Sequence, residues 1–282
     1  MTTITGAATV AGIVGSPVSH SLSPLIHNSW IAAAGLDAAY VPFAPPADGF
    51  ADFVRGFRGG AIRGVNVTVP FKEEALALAT EATQRARRAG AANVLVFGRN
   101  GRVSADNTDG AGVLAALAEQ VPQLRLADGV ALILGAGGGA RGAALALLGA
   151  GAPEIRIANR TAARAAELAA DLGEPCRPVE IGPPAFDDAA LIINATTLGL
   201  GGGPGPPTAF ERARPGAVVL DMVYRPLRTE LLRRAIAAGC TTVDGLAMLI
   251  GQAVPSYHAF FGAPPPAIDV RGLCLEALGE AA

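Results

Sequence analysis

Short apolar runs closed by turn residues recur along the chain, with helical stretches between them. The clearest is Val130–Leu134, five apolar residues that stop at Gly135 and lead into an Ala/Leu-rich helix reaching Leu148. Glu154–Ala158, Ala190–Ile193, Ala217–Leu220 and Thr241–Val243 repeat the strand pattern, and Leu227–Ala238 reads as a helix between the last two. Strands alternating with helices predict an α/β fold whose C-terminal half is a doubly wound sheet. Ahead of it, strands are predicted over Val10–Gly15, Tyr40–Phe43 and Gly64–Val69, and helices over Pro24–Ala34, Gly49–Gly59 and Thr83–Ala89. Asn93–Phe97 and Val103–Ala105 bracket an Asn-Gly turn and predict a hairpin. Helices Ala111–Ala118, Leu246–Phe261 and Asp269–Leu278 follow, the last two separated by a proline-rich loop at 264–266.

Finer patterning singles out polar residues inside this frame. Asn66 and Thr68 share one face of a strand by its period of two, and Val65, Val67 and Val69 point the other way, into the core. Pro70 ends the strand and Lys72 opens the next helix, where the dipole opposes a cation. Ser23 fits the N-cap of a helix with Pro24 at its first position. Ser21 has no such role, and two hydroxyls ahead of a helix N-terminus also suit a carboxylate. Asp109 either decorates a helix start, where acids are favoured, or serves a site. Gln252 is the internal polar residue of an apolar helix.

The pattern Gly135-x-Gly137-x-x-Ala140 carries the logic of a dinucleotide turn. Gly135 permits the tight bend, Gly137 lets backbone approach a pyrophosphate, and Ala140 lets helix and strand pack closely. The helix N-terminus then directs free N–H groups at phosphate. Glycine makes up 36 of 282 residues, so the turn alone also fits an ordinary strand–turn–helix. The next strand decides more. It ends in Asn159-Arg160-Thr161, where an NAD site carries an acid for the ribose hydroxyl. Thr161 is expected to cap the next helix, which puts Arg164 in its first turn against the dipole. Arg160 and Arg164 therefore suit the 2′-phosphate of NADP. Pairing of Arg164 with Glu167 is the alternative, and it explains only one of the two arginines.

Composition narrows the class. A chain of 282 residues with 51% apolar content has room for one large or two medium domains, and a net charge of −2 argues against a nucleic-acid surface. Cys176, Cys240 and Cys274 have no metal or redox spacing, so free thiols in a reducing cytoplasm are expected. The first Lys or Arg is Arg55, which leaves the N-terminus without a signal-peptide charge cluster. Arg141 and the glycines make residues 130–152 a strand plus helix rather than a membrane span. The 3 histidines lack ligand spacing, against a zinc-dependent mechanism. The partner expected is a small molecule, with neither nucleic acid nor membrane, and a homodimer is compatible with the chain.

Taken together, Ser21-Leu22-Ser23-Pro24, Asn66 to Lys72, Asp106 to Gly110, Gly135 to Arg141, Asn159-Arg160-Thr161 with Arg164, and Asp244-Gly245-Leu246 through Gln252 resemble the shikimate dehydrogenase family. The resemblance runs in order over nearly the whole chain. It implies a substrate domain over residues 1–107, completed by 246–282, and an inserted Rossmann-like NADP domain over 108–245, with the active site in the cleft. The implied reaction is reduction of 3-dehydroshikimate to shikimate by NADPH. Ser21 and Ser23 then correspond to carboxylate ligands, Asn66, Thr68, Asn93, Asp109 and Gln252 to hydroxyl ligands, and Tyr224 to a further contact. Lys72 and Asp109 correspond to the catalytic pair. Gly135, Ala136, Gly137, Gly138, Gly139 and Ala140 correspond to the phosphate turn, with Asn159, Arg160, Thr161 and Arg164 near the ribose and Met222 and Gly245 near the nicotinamide.

Three features depart from the family pattern: Ala247 where glycine is common, the run Pro255 to His258, and the Gly/Pro-rich loop 201–207. A quinate or aminoshikimate dehydrogenase is the neighbouring alternative, and Arg160 and Arg164 speak against the NAD that many quinate enzymes prefer. A non-catalytic sensor of NADP(H) or shikimate is the alternative of another class. Retention of Lys72 and Asp109 favours the enzyme.

Overall fold

A computed structural model describes residues 4–280, so the first three and last two residues of the expected domains lie outside it. In chain order the regular elements are β1 (Thr9–Val14), α1 (Ser23–Ala33), β2 (Ala38–Phe43), α2 (Phe50–Gly56), β3 (Gly64–Val67) and α3 (Lys72–Leu78). There follow β4 (Glu81–Ala82), α4 (Gln84–Ala89), β5 (Val94–Phe97), β6 (Val103–Asp106), α5 (Asp109–Gln120), β7 (Val130–Leu134) and α6 (Gly138–Gly149). The chain continues through β8 (Glu154–Ala158), α7 (Ala162–Leu172), β9 (Cys176–Val179), β10 (Ala189–Asn194) and β11 (Val218–Asp221). It closes with α8 (Glu230–Ala237), β12 (Thr241–Val243), α9 (Gly245–Phe261) and α10 (Val270–Leu278).

Two compact units result. The first holds the chain through Thr108 plus Gln252–Ala277, and the second holds Asp109–Gly251 with Leu278–Glu280. The sequence put the return to the first unit at 246. The opening turns of α9 instead pack in the second, where Ala247 and Met248 join its core. A Cβ on Gly251 would come within 2.7 Å of the Ala115 methyl.

The first unit is built on a six-stranded sheet in the order β2-β1-β3-β5-β6-β4. β1 pairs parallel with β2 and β3, and β5 runs antiparallel to both β3 and β6. Val65 and Val67 are buried as expected, but Val69 is 59% exposed. The strand ends at Val67, so Val69 has left the pleat that would have carried it inward.

The second unit's six strands are all parallel, in the order β12-β11-β10-β7-β8-β9. Alternate residues of β7 feed opposite faces. Ala131 and Ile133 pack with residues of α5, α6 and α7, and Leu132 and Leu134 pack with Phe186, Phe210 and α8. Burial on both faces is why this strand reads as an unbroken apolar run. The strand order reverses between β7 and β10, the point at which open parallel sheets bind ligands beyond their carboxyl ends.

Candidate active site

Within the first unit the predicted polar residues converge. Asn93 Oδ1 accepts from the Thr108 N–H at 2.8 Å, and Asn93 Nδ2 donates to Thr108 Oγ1 at 3.0 Å and to Gln252 Oε1 at 3.4 Å. Asn66 Nδ2 donates to the Asn93 carbonyl at 3.2 Å. Asn66, Asn93, Thr108 and Gln252 are all buried. Thr108 was not singled out from the sequence, although it lies inside the Asp106–Gly110 motif. Thr68 stands just beyond β3, beside Gly15, where any Cβ would lie 2.3 Å from Thr68 Cγ2.

Of the two serines, Ser23 does not take the cap role expected of it. α1 begins at Ser23 with Leu22 at the cap and no side-chain cap bond, so Ser23 is not the N-cap. Ser21 Oγ instead accepts from the Ser23 N–H at 3.2 Å, which leaves its own hydroxyl proton for a ligand. Ser23, 2% exposed, turns inward to the Tyr40 phenol. Burial pushes that phenol well above its usual range, and the Ser23 hydrogen bond acts in the opposite direction.

Lys72 is the first residue of α3 and is half-buried, followed by Glu73 and Glu74. Asp109 opens α5 and is buried. The chain passes from the first unit to the second between Thr108 and Asp109, and returns between Gly251 and Gln252. Both crossings therefore carry predicted site residues.

In the second unit, Gly135 takes φ +118, and a Cβ there would approach the Ala195 carbonyl oxygen at 3.1 Å. Only glycine enters that region without strain. Gly137 caps α6, and a Cβ on it would meet nothing within 4 Å, so open space lies over the turn. Ala140 is fully buried against the sheet. Gly138 and Gly139 form the first turn of α6, with Ala136 ahead of it. Thr161 caps α7 by position, but its side chain makes no cap bond, contrary to expectation. Asn159 Nδ2 fixes this turn by donating to the Thr161 carbonyl at 2.9 Å. Arg160 and Arg164 are exposed, and among the described residues neither forms an ion pair, so the Arg164–Glu167 alternative falls away.

Open space over Gly137, α6 N–H groups and two uncompensated cations at the end of β8 fit a nucleotide with an extra phosphate. Met222 belongs to the same region: a Cβ on Gly139 would touch its Sδ at 3.4 Å. Gly245 has a packing reason of its own, since a Cβ would come within 2.7 Å of the Met222 carbonyl.

The loop carrying Met222 and Tyr224 is held by a carboxylate the sequence did not flag. Asp221, fully buried, accepts from Thr229 Oγ1 at 2.6 Å, Asn194 Nδ2 at 2.8 Å and the Val223 N–H at 3.0 Å. Desolvation nevertheless leaves its carboxyl above the usual range. The same Asn194 donates to the Leu198 carbonyl, so one network anchors the loops after β10 and β11. The 201–207 loop is also tied, through Gly201 N to the Arg225 carbonyl and Gly205 N to Glu230 Oε2. Among the described residues there is no group of three His, Cys, Asp or Glu side chains placed to hold a metal, and no helix long and apolar enough to cross a membrane.

Comparison with known proteins covers both units. Residues 13–95 match the shikimate dehydrogenase substrate binding domain, and residues 116–197 match the shikimate / quinate 5-dehydrogenase family. A shikimate dehydrogenase (NADP(+)) of Caulobacter vibrioides is 59% identical over 280 residues, 98% of each chain. That of Maricaulis maris is 48% identical over 278 residues, again 98% of each. The crystal structure of shikimate 5-dehydrogenase from Thermus thermophilus with NADP(H) and shikimate superposes with a TM-score of 0.85 at 36% identity, covering 96% of this chain and 98% of that one. With its two α/β units and relatives of this identity along its whole length, the chain belongs to the shikimate dehydrogenase family.

Proposed function

We infer that this chain is an oxidoreductase that reduces 3-dehydroshikimate to shikimate with NADPH, reversibly, in the shikimate pathway of aromatic amino acid biosynthesis. The observation that carries the reading is the 59% identity to a shikimate dehydrogenase (NADP(+)) over 98% of both chains. Arg160 and Arg164, without ion-pair partners among the described residues, support NADP over NAD.

Bound NADPH supplies the hydride. The alkoxide that develops at the ketone needs a proton donor within hydrogen-bond reach, and we assign that donor to Lys72. Asp109 is assigned as acceptor for a neighbouring substrate hydroxyl. Ser21 and Ser23 take the carboxylate, and Asn66, Thr68, Asn93 and Gln252 take hydroxyls, with Tyr224 as a further contact. The cofactor is assigned to Gly135 through Ala140, to Asn159, Arg160, Thr161 and Arg164, and to Met222 and Gly245. The first unit is thus the substrate domain and the second the NADP domain. A cytoplasmic homodimer completes the reading, with sedimentation of the purified chain as its check.

Turnover followed by nicotinamide absorbance, with shikimate and quinate each crossed against NADP and NAD, tests the assignment. The shikimate/NADP pair is expected to give the highest kcat/KM. A higher value for quinate with NAD would overturn it.

A further inference from the structure

The carboxamide of Asn66 is the centre of a buried, directional hydrogen-bond chain in the first unit. Tyr40 Oη donates to Asn66 Oδ1 at 2.8 Å. Asn66 Nδ2 donates to Ser256 Oγ at 2.8 Å and to the Asn93 carbonyl at 3.2 Å. Ser256 Oγ in turn donates to the Gln252 carbonyl at 3.0 Å.

Elementary hydrogen-bond chemistry fixes the direction of each link. The Gln252 carbonyl only accepts, so the single Ser256 proton goes to it and the Ser256 oxygen must accept from Asn66. Turning the Asn66 amide over would set its oxygen against the Asn93 carbonyl, two acceptors facing each other. Both N–H bonds of Asn66 are therefore committed inside the protein. What remains for a ligand is lone-pair capacity on Oδ1.

The two partners are built in firmly. Tyr40 and Ser256 are 1% and 0% exposed. The Tyr40 ring lies flat against the His27 ring, centroids 4.1 Å apart and 3° from parallel. Ser256 reaches Asn66 across 190 residues of chain.

We propose that Tyr40 and Ser256 are positioning residues that lock the Asn66 amide in one orientation, with both N–H bonds spent inside the protein, making Asn66 an acceptor that selects a substrate hydroxyl as donor. The proposal rests on the assignment of Asn66 as a substrate ligand. An acceptor-only Asn66 favours a free hydroxyl over a methyl ether at the same ring position, because the ether has no proton to give.

The test is a set of variants assayed with shikimate and NADP, with Tm recorded for each. Tyr40→Phe and Ser256→Ala each remove one hydroxyl, and each is expected to raise the KM for shikimate by about 3- to 10-fold, the scale of one hydrogen bond. The KM for NADP stays within about two-fold, since the lost bond belongs to the first unit. Asn66→Ala raises the shikimate KM as well, and adding Ser256→Ala to it changes nothing further, because Ser256 acts through the amide that is gone; Tyr40→Phe, which also removes the hydrogen-bond partner of Ser23, keeps only that smaller part of its effect there. Full additivity on the Asn66→Ala background, or singles that lower Tm and leave the shikimate KM unchanged, overturns the proposal while the Asn66 assignment stands. An unchanged shikimate KM in Asn66→Ala removes the assignment and the proposal together. Should Tyr40→Phe fail to fold, Ser256→Ala carries the same cycle alone. Asn66→Ser replaces Asn66→Ala on the same terms.

Discussion

In the first unit Asn66, Asn93 and Gln252 are buried and already hydrogen-bonded by the protein, whereas the residues around the glycine turn of the second present open backbone and two exposed arginines. The first region fixes its side chains before any ligand arrives, which limits the ordering cost of binding but leaves few free donors. The second leaves charge uncompensated at the surface, where it is screened by salt and gains most when a phosphate arrives. A ring-shaped polyol and a highly charged nucleotide call for these opposite arrangements.

The comparison breaks most sharply at Lys72, the group assigned as proton donor. Lys72→Ala is expected to lower kcat by about 10²–10⁴, the range for a positioned acid–base group, with NADPH binding measured by fluorescence retained. Turnover within a few-fold of wild type would make Lys72 a binding residue only. Asp109→Asn is expected to move kcat in the same direction, and the double variant to cost less than the sum.

Cofactor choice comes next. Replacing Arg160 and Arg164 together by neutral residues is expected to reduce the NADP/NAD ratio of kcat/KM by about 10²–10⁴-fold, from charge-assisted bonds of roughly 1.5–3 kcal/mol each. Equal losses with both cofactors would assign the arginines to the fold.

Gly135→Ala sharpens the claim that the second region works through backbone. Alanine at φ +118, with its Cβ 3.1 Å from the Ala195 carbonyl, is strained. The expected cost is about 1–3 kcal/mol of stability, read by denaturant titration, together with a raised NADP KM.

An effect confined to acid pH probes the rigid backing of the first region. His27 is wholly buried and, among the described residues, without a hydrogen-bond partner, and burial lowers its pKa from 6.5 to about 3. The unfolded chain takes up this proton below 6.5 and the folded chain does not, so stability is fully present above 6.5 and is lost as pH falls towards 3. The slope is about 1.4 kcal/mol per pH unit for one proton. His27→Phe keeps the stack on Tyr40 and is expected to flatten the acid limb relative to wild type in urea titrations. An identical limb in both proteins would place the titrating group elsewhere.

The sequence disclosed what local chemistry dictates. Val130–Leu134 announced itself because both faces of β7 are buried, and Gly135 because its turn admits no other residue. Arg164 was legible as a charge placed against a helix dipole, and Arg160 as a cation at the strand end where an NAD site carries an acid. β9 was not, since it is an edge strand containing Pro178, paired with β8 alone among the described residues. The inward turn of Ser23 was hidden because the helix begins one residue earlier than its Ser-Pro pattern suggests. Tyr40, Ser256 and Asp221 were invisible for another reason. Each matters through a partner that the fold, and not the neighbouring sequence, brings to it.

The central claim is that substrate is selected in the first unit and cofactor in the second, by separate groups. Michaelis constants for shikimate and for NADP in Ser21→Ala and in the Arg160/Arg164 double variant test it directly. Ser21→Ala is expected to raise the shikimate KM by about 10-fold, from one lost charge-assisted bond, with the NADP KM unchanged. The arginine variant is expected to do the reverse. A Ser21→Ala enzyme whose NADP KM rises as much as its shikimate KM, or an arginine variant impaired chiefly for shikimate, would contradict it.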